Sequence, residues 1–164
     1  MMAALMTPLL LLALLFGPYL AARLLAAMRG RKFEGRDAGA FGAALLFLFA
    51  SIGHFVQTEA MTGMLPGWVP MRTLIIYATG VFEIALTAGI LVRSTRHLAG
   101  RAAIVMLIAF LPANIHAALN GSPTGGGSMG PLYLLIRVPL QLIFISWIHG
   151  FCVAPARRTS PALA

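Results

Sequence analysis

An all-helical membrane protein of five spans is what this sequence predicts, on three observations. Of its 164 residues, 60% are hydrophobic and only 10% charged, whereas soluble domains carry about 45–50% apolar and ~25% charged residues. Five stretches reach the ~20 mostly apolar residues that a helix needs to cross a hydrocarbon core: residues 5–28, 38–56, 73–92, 102–120 and 131–151. None shows strand-period alternation, which sets a barrel aside. A single cysteine, Cys152, excludes a disulfide within one copy.

The first span is predicted to be retained rather than cleaved. A secretory signal places its positive charge before the apolar run, and here the charge follows it, at Arg23, Arg29, Arg31, Lys32 and Arg36. Gly17-Pro18 is a candidate kink, tolerated where neighbouring helices satisfy the freed carbonyl. Arg93, Arg96 and Arg101 lie between the third and fourth spans, and Arg157 and Arg158 after the fifth. These three places hold ten of the twelve basic residues, and five crossings put them all on one side. The positive-inside rule makes that side cytoplasmic, with the N-terminus out and the C-terminus in. No basic patch is interleaved with aromatics, so anionic lipid and the membrane potential, not nucleic acid, are the expected partners of the +8 net charge.

Two connections fall on the outer side. Residues 57–72 include Met61, Met64, Leu65, Pro66, Trp68, Val69 and Pro70, too apolar for a free loop and too proline-rich for a helix. They are expected to lie along the membrane surface with Trp68 at headgroup level. Gly121–Gly130 has the composition of a flexible linker and is expected to be poorly ordered unless a partner covers it.

Ionisable side chains inside spans are the default functional candidates, because an unpaired charge there costs several kcal/mol. Glu83 follows Arg72 by eleven residues, which places it ~16 Å into the bilayer at a rise of 1.5 Å per residue. At 100° per residue, Thr73, Tyr77, Gly80, Glu83 and Thr87 form one stripe, expected to face other helices. Arg137 and Gln141 are four apart and share a face of the fifth span. The long Arg137 side chain reaches toward the midplane, so a Glu83–Arg137 ion pair is expected, serving either helix register or a ligand and its proton.

His54 and His116 occupy matched depths on the second and fourth spans. They can cross-link helices, contact a polar ligand, or ligate a haem or metal. Lacking carboxylate or thiolate companions, they leave the expected metal set empty. Pro112 and Pro139 remove the usual donors of the Ile108 and Leu135 carbonyls. With Asn114 beside the first proline, and Arg137 and Gln141 flanking the second, they outline an outward-opening cavity. No phosphate-binding glycine motif, HExxH or nucleophile elbow occurs.

Taken together, Gly53-His-Phe55, Met64-Leu-Pro66 with Trp68 and Pro70, Tyr77 with Gly80-Val-Phe-Glu83, Arg93 to Gly100, Leu111-Pro-Ala-Asn114 and Ile136-Arg-Val-Pro-Leu-Gln141 resemble the DoxX-like family of small bacterial membrane proteins. The likeness runs from about Phe41 to Trp147. It implies a four-helix transmembrane bundle over 31–152, with 1–30 as an additional N-terminal transmembrane helix and 153–164 as a cytoplasmic tail, in the bacterial cytoplasmic (inner) membrane. It also implies a redox setting, since the family takes its name from a subunit associated with a thiosulfate-oxidising, quinone-reducing enzyme. Glu83, Asn114, Arg137 and Gln141 fall at the family's recurring positions.

Two functions are therefore expected to compete. In the first, the protein is a subunit of a membrane oxidoreductase that binds a quinone or similar molecule through Arg137, Gln141, Asn114, His54, His116 and Tyr77, with Glu83 handling the proton. In the second, it is a non-catalytic assembly or anchoring subunit. A small transporter is a third, weaker reading. No electron carrier is encoded, so partners are expected to be membrane lipids and a larger membrane or periplasmic protein, or further copies of the chain.

Overall fold

A computed structural model describes residues 2–120 and 127–155. Among them the chain is helical throughout its ordered elements and contains no strand. Helix α1 is Met2–Met28, α2 Gly35–Val56, α3 Thr58–Thr62, α4 Arg72–Leu91, α5 Arg96–Leu119 and α6 Leu134–Ile148. A 3₁₀ segment, Gly127–Tyr133, leads into α6, and a π-helical turn, His149–Val153, ends it. Five helical stretches are long and apolar enough to cross a membrane: Met6–Met28, Gly35–Val56, Arg72–Leu91, Arg96–Leu119 and Gly130–Val153.

These five agree with the apolar runs and differ mainly at two starts. Helix α5 begins at Arg96 rather than 102, and α2 at Gly35 rather than 38, because apolar composition marks the hydrocarbon core while the helix extends beyond it through Arg96, His97 and Arg101, and through Arg36 and Asp37. Residues 57–72 are not free of helix, since Thr58–Thr62 forms a short one. Met71 then adopts a left-handed backbone (φ 51°) as the residue that caps α4, a conformation uncommon outside glycine. Of the Gly-rich connection, 121–126 lies outside the described residues, as do Arg157 and Arg158; Gly127–Gly130 belongs to the 3₁₀ segment.

Small residues dictate how the helices meet. Helix α2 buries Gly39, Ala40, Gly42, Ala43 and Ala44 in sequence with Leu46 and Phe47, and packs against both α1 and α4. A Cβ at Gly42 would collide with the Leu15 carbonyl of α1, and one at Gly80 of α4 would stand 2.9 Å from the His54 Cβ of α2. Gly100 gives α5 the same closeness to the π-helical turn, where a Cβ would meet that of Cys152 at 2.7 Å. Such contacts let backbones approach without a side chain between them, the usual basis of helix association in lipid. The outward faces are apolar on every long helix, with Leu24, Ile52, Val81, Val105 and Leu135 all exposed. That distribution suits a hydrocarbon surrounding and not water.

At one end of the bundle a polar clasp joins three helices. Asp37 of α2 accepts from the Arg96 guanidinium at 2.7 Å and also pairs with Arg93. Arg96 is buried and spends its Nε on the Ile90 carbonyl at the end of α4, at 2.9 Å. Arg36 donates to Ala154 O at 2.7 Å, and Trp147 Nε1 to Gly39 O at 2.9 Å. Two of the three basic residues between the third and fourth apolar runs, Arg93 and Arg96, are thus engaged by Asp37, a protein partner that the lipid expectation left out. Arg96→Ala should cost about 1–3 kcal/mol, because it orphans a buried carbonyl and one carboxylate oxygen together. Arg93→Ala, on a fully exposed side chain, should leave stability nearly unchanged. Equal thermal shifts for the two variants in detergent would show that the clasp does not hold the helices.

Candidate functional site

Of the candidate polar residues, His54 of α2, Glu83 of α4, Asn114 of α5 and Gln141 of α6 are buried inside the bundle and, with Arg137 of α6, make up its polar layer. Glu83 is 2% exposed on α4, and facing it is His54 of α2, with Nδ1 at 3.1 Å from Glu83 Oε2. Gly80 makes this approach possible, because its missing side chain admits the His54 Cβ one turn away. The same Nδ1 lies 3.0 Å from the Ala50 carbonyl. A carbonyl only accepts, so Nδ1 must carry the hydrogen and directs it there. Glu83 Oε2 therefore receives no hydrogen bond despite its charged or chargeable neighbour. Nε2 of His54 has no hydrogen-bond partner among the described residues, and the ring leans on Phe110 of α5 at 6.1 Å between centroids.

The expected direct ion pair between Glu83 and Arg137 is not formed. Among the described residues the carboxylate's ion-pair neighbour is His54, and Arg137 makes no ion pair with it. Arg137 Nε is buried without a partner. Four residues on, the 5%-exposed Gln141 donates its amide to the Leu107 carbonyl of α5 at 2.8 Å, and its Oε1 is left unpaired. Three orphaned atoms thus occupy the layer: Glu83 Oε2, Arg137 Nε and Gln141 Oε1. Buried polar groups are satisfied in the great majority of cases, so such a cluster calls for an explanation.

Asn114 is buried and lends its amide to the Phe110 carbonyl one turn back, at 2.8 Å. That is not the Ile108 carbonyl which Pro112 frees, so Asn114 braces the helix elsewhere. Both α5 and α6 run through their prolines as continuous helices. The two principal pockets open away from the layer. One is an apolar groove between α4 and α5 lined by Ile75, Phe82, Val105 and Met106, the other a surface pocket of Phe55, Gln57, Thr58, Glu59 and Tyr77.

His116 does not join His54. Its Nδ1 meets the Met64 carbonyl at 3.1 Å and ties the connection after α3 to α5. Tyr77 is 42% exposed and stacks on Phe55 at 5.9 Å, outside the layer. Thr73 is exposed too, so only Gly80, Glu83 and Thr87 of the predicted stripe face other helices. No group of three metal-ligating side chains occurs among the described residues. What the sequence reading missed was His54 as the neighbour of Glu83; the signal was Gly80, one turn from Glu83 on the same face, a gap through which a second helix can present a side chain.

Residues 43–152 match a family model described as "Domain of unknown function (DUF8561)". No curated protein and no solved structure matches the chain. The matched stretch contains every residue of the layer.

Proposed function

Because the chain belongs to the DUF8561 family, defined as a domain of unknown function, we propose a function from the site itself: a multi-pass membrane subunit that binds a quinone headgroup or similar small molecule for a membrane oxidoreductase. The observation that carries this reading is the set of three unpaired buried atoms on α4 and α6. A pocket for such a headgroup needs a mostly apolar wall with a few converging polar groups; Leu107, whose carbonyl accepts from Gln141, and Phe110, which packs on the His54 ring, are the apolar residues nearest these groups. Arg137 and Gln141 orient the ligand's oxygens, and Glu83 exchanges a proton with it, held in place by the neighbouring His54 ring. The likeness to the DoxX-like family supports the redox setting and the bacterial cytoplasmic membrane, and the placement of basic residues between the spans supports an N-out, C-in orientation. Electrons come from or go to a partner protein.

The test is binding of a quinone analogue to the detergent-purified chain. Glu83→Gln and Arg137→Leu should each weaken it by roughly tenfold, the scale of one charge-assisted hydrogen bond, while the melting transition is retained. Unchanged affinity in both variants rejects the reading.

A second reading, an anchoring subunit, is favoured by α1, whose apolar window is only 6% buried within the chain. It expects stable co-purification with a larger enzyme in mild detergent, and a monodisperse single species would count against it.

A further inference from the structure

Helices α4 and α5 come together near their connection and leave a groove beyond it. At the connection a Cβ on Gly89 would stand 2.8 Å from that of Ala99, and Thr95 and Arg96 donate to the Gly89 and Ile90 carbonyls, each at 2.9 Å. Farther along, about 520 Å³ opens between walls that include Ala78 and Thr79 of α4 and Ala102, Val105, Ala109 and Phe110 of α5. The three alanines are too small to fill it. Its side chains offer no free hydrogen-bond donor, because the Thr79 hydroxyl donates to Ile76 O of its own helix at 2.8 Å. From Ala102 to Phe110 the groove follows ~12 Å of helix. A further transmembrane helix is itself ~10–12 Å wide and would ask for ~30 Å of matching surface. A short, wholly apolar groove suits a single hydrocarbon chain instead.

At the end of the groove nearest the connection stands a free cation. Arg101 is exposed, adjoins Ala102 in sequence and shares a face with Val105 four residues on. Side chains on a helix lean toward its N-terminus, so Arg101 leans out of the apolar span toward the charged clasp. Arg93 and Arg96 are held there by Asp37, whereas Arg101 has no ion pair or side-chain hydrogen bond among the described residues. We propose that the α4–α5 groove and Arg101 form a site for one anionic phospholipid, an acyl chain lying in the groove and the phosphate on the Arg101 guanidinium. A guanidinium takes two phosphate oxygens in a fork of hydrogen bonds, and its long stem carries the charge to headgroup level while the helix stays in hydrocarbon. A zwitterionic lipid fills the groove equally well but brings its own cation up to Arg101. The +8 net charge points to anionic lipid in general; the groove assigns one lipid to one arginine, independently of the polar layer and its ligand.

The test titrates the full-length protein in mild detergent with phosphatidylglycerol and with phosphatidylcholine of the same chains, and reads the first bound lipid by native mass spectrometry. Phosphatidylglycerol should bind about fivefold tighter, the preference one basic residue near the membrane surface gives. Arg101→Gln, on an exposed side chain that the fold does not need, should bring the two affinities level. Arg93→Gln is the charge control and should keep the preference, since Asp37 already holds that guanidinium. Ala109→Phe fills the groove and should weaken both lipids alike while the headgroup preference of any lipid still bound persists; should this variant not fold, the two arginine variants decide. Equal wild-type affinities, an unchanged preference in Arg101→Gln, or equal losses from Arg101→Gln and Arg93→Gln overturn the proposal. So does a dimer that Ala109→Phe dissociates, which would give the groove to a second copy of the chain.

Discussion

Gly80→Val should pry α2 from α4 and dismantle the polar layer with it. Among the described residues these two helices make the most extensive contact, and Gly80 lies in it. A Cβ there stands 2.9 Å from the His54 Cβ and 3.0 and 3.1 Å from two ring atoms of Phe55. The Phe55 ring can rotate away, but the His54 Cβ moves only with the α2 backbone. Overpacking of this kind costs about 1–3 kcal/mol, and the shift that relieves it increases the 3.1 Å separation of His54 Nδ1 and Glu83 Oε2. The variant should melt several degrees lower in detergent and lose quinone-analogue binding by more than tenfold. Gly17→Ala is the control. Beyond its chain neighbours nothing lies within 4 Å of a Cβ at Gly17, so no other helix is displaced; the gain in helix propensity is opposed by crowding of that Cβ against the Pro18 ring, and stability should change by less than about 1 kcal/mol. Comparable losses from both variants would mean that glycine content in general, and not this crossing, sets stability.

How much of this was legible in the sequence differs between the fold and the site. The five long helices were, because a hydrocarbon core demands runs of ~20 apolar residues and tolerates little else. Burial of Glu83, Gln141, Asn114 and His54 was legible for a related reason: depth and helical phase together select side chains that cannot face lipid. Phase alone failed at Thr73 and Tyr77. They share the direction of Glu83, but direction says nothing about coverage: near the start of α4 Thr73 is exposed, and Tyr77, though stacked on Phe55 of α2, is 42% exposed. The partner of Glu83 was misread because pairing depends on which helices are neighbours. A single-helix wheel for α6 made Arg137 the obvious counter-ion. The deciding fact was a glycine on α4 that lets α2 in first. Asp37 and Arg96 were overlooked for the opposite reason: both stand in the charged segments that flank spans, where a solvated or lipid-facing role is the common outcome, and only the tertiary structure brings them 2.7 Å apart.

Gly42→Val should release α1 while leaving the polar layer intact. The atom a Cβ would strike is the backbone oxygen of Leu15, with the Leu15 carbonyl carbon 3.0 Å away. Backbone cannot rotate aside as a ring can, so the whole of α1 must move. Leu15 is itself fully buried in the core, and its withdrawal adds the loss of a packed leucine, about 2–5 kcal/mol when such a side chain is removed outright. The displacement has a natural reporter. Trp147 of α6 packs edge-on against Phe16 at 4.6 Å and Tyr19 at 5.4 Å, both on α1, while its Nε1 stays anchored to Gly39 O of α2. In a Trp68→Phe background, which leaves Trp147 as the sole tryptophan, its emission should shift in Gly42→Val and not in Gly17→Ala. Ligand binding should persist, because His54, Glu83, Arg137 and Gln141 lie on α2, α4 and α6 within the family-matched residues 43–152, to which α1 does not belong. Loss of binding together with the shift would show that α1 braces the site, and that the chain works as one five-helix unit. A shift with binding retained separates an attached helix from a four-helix working core.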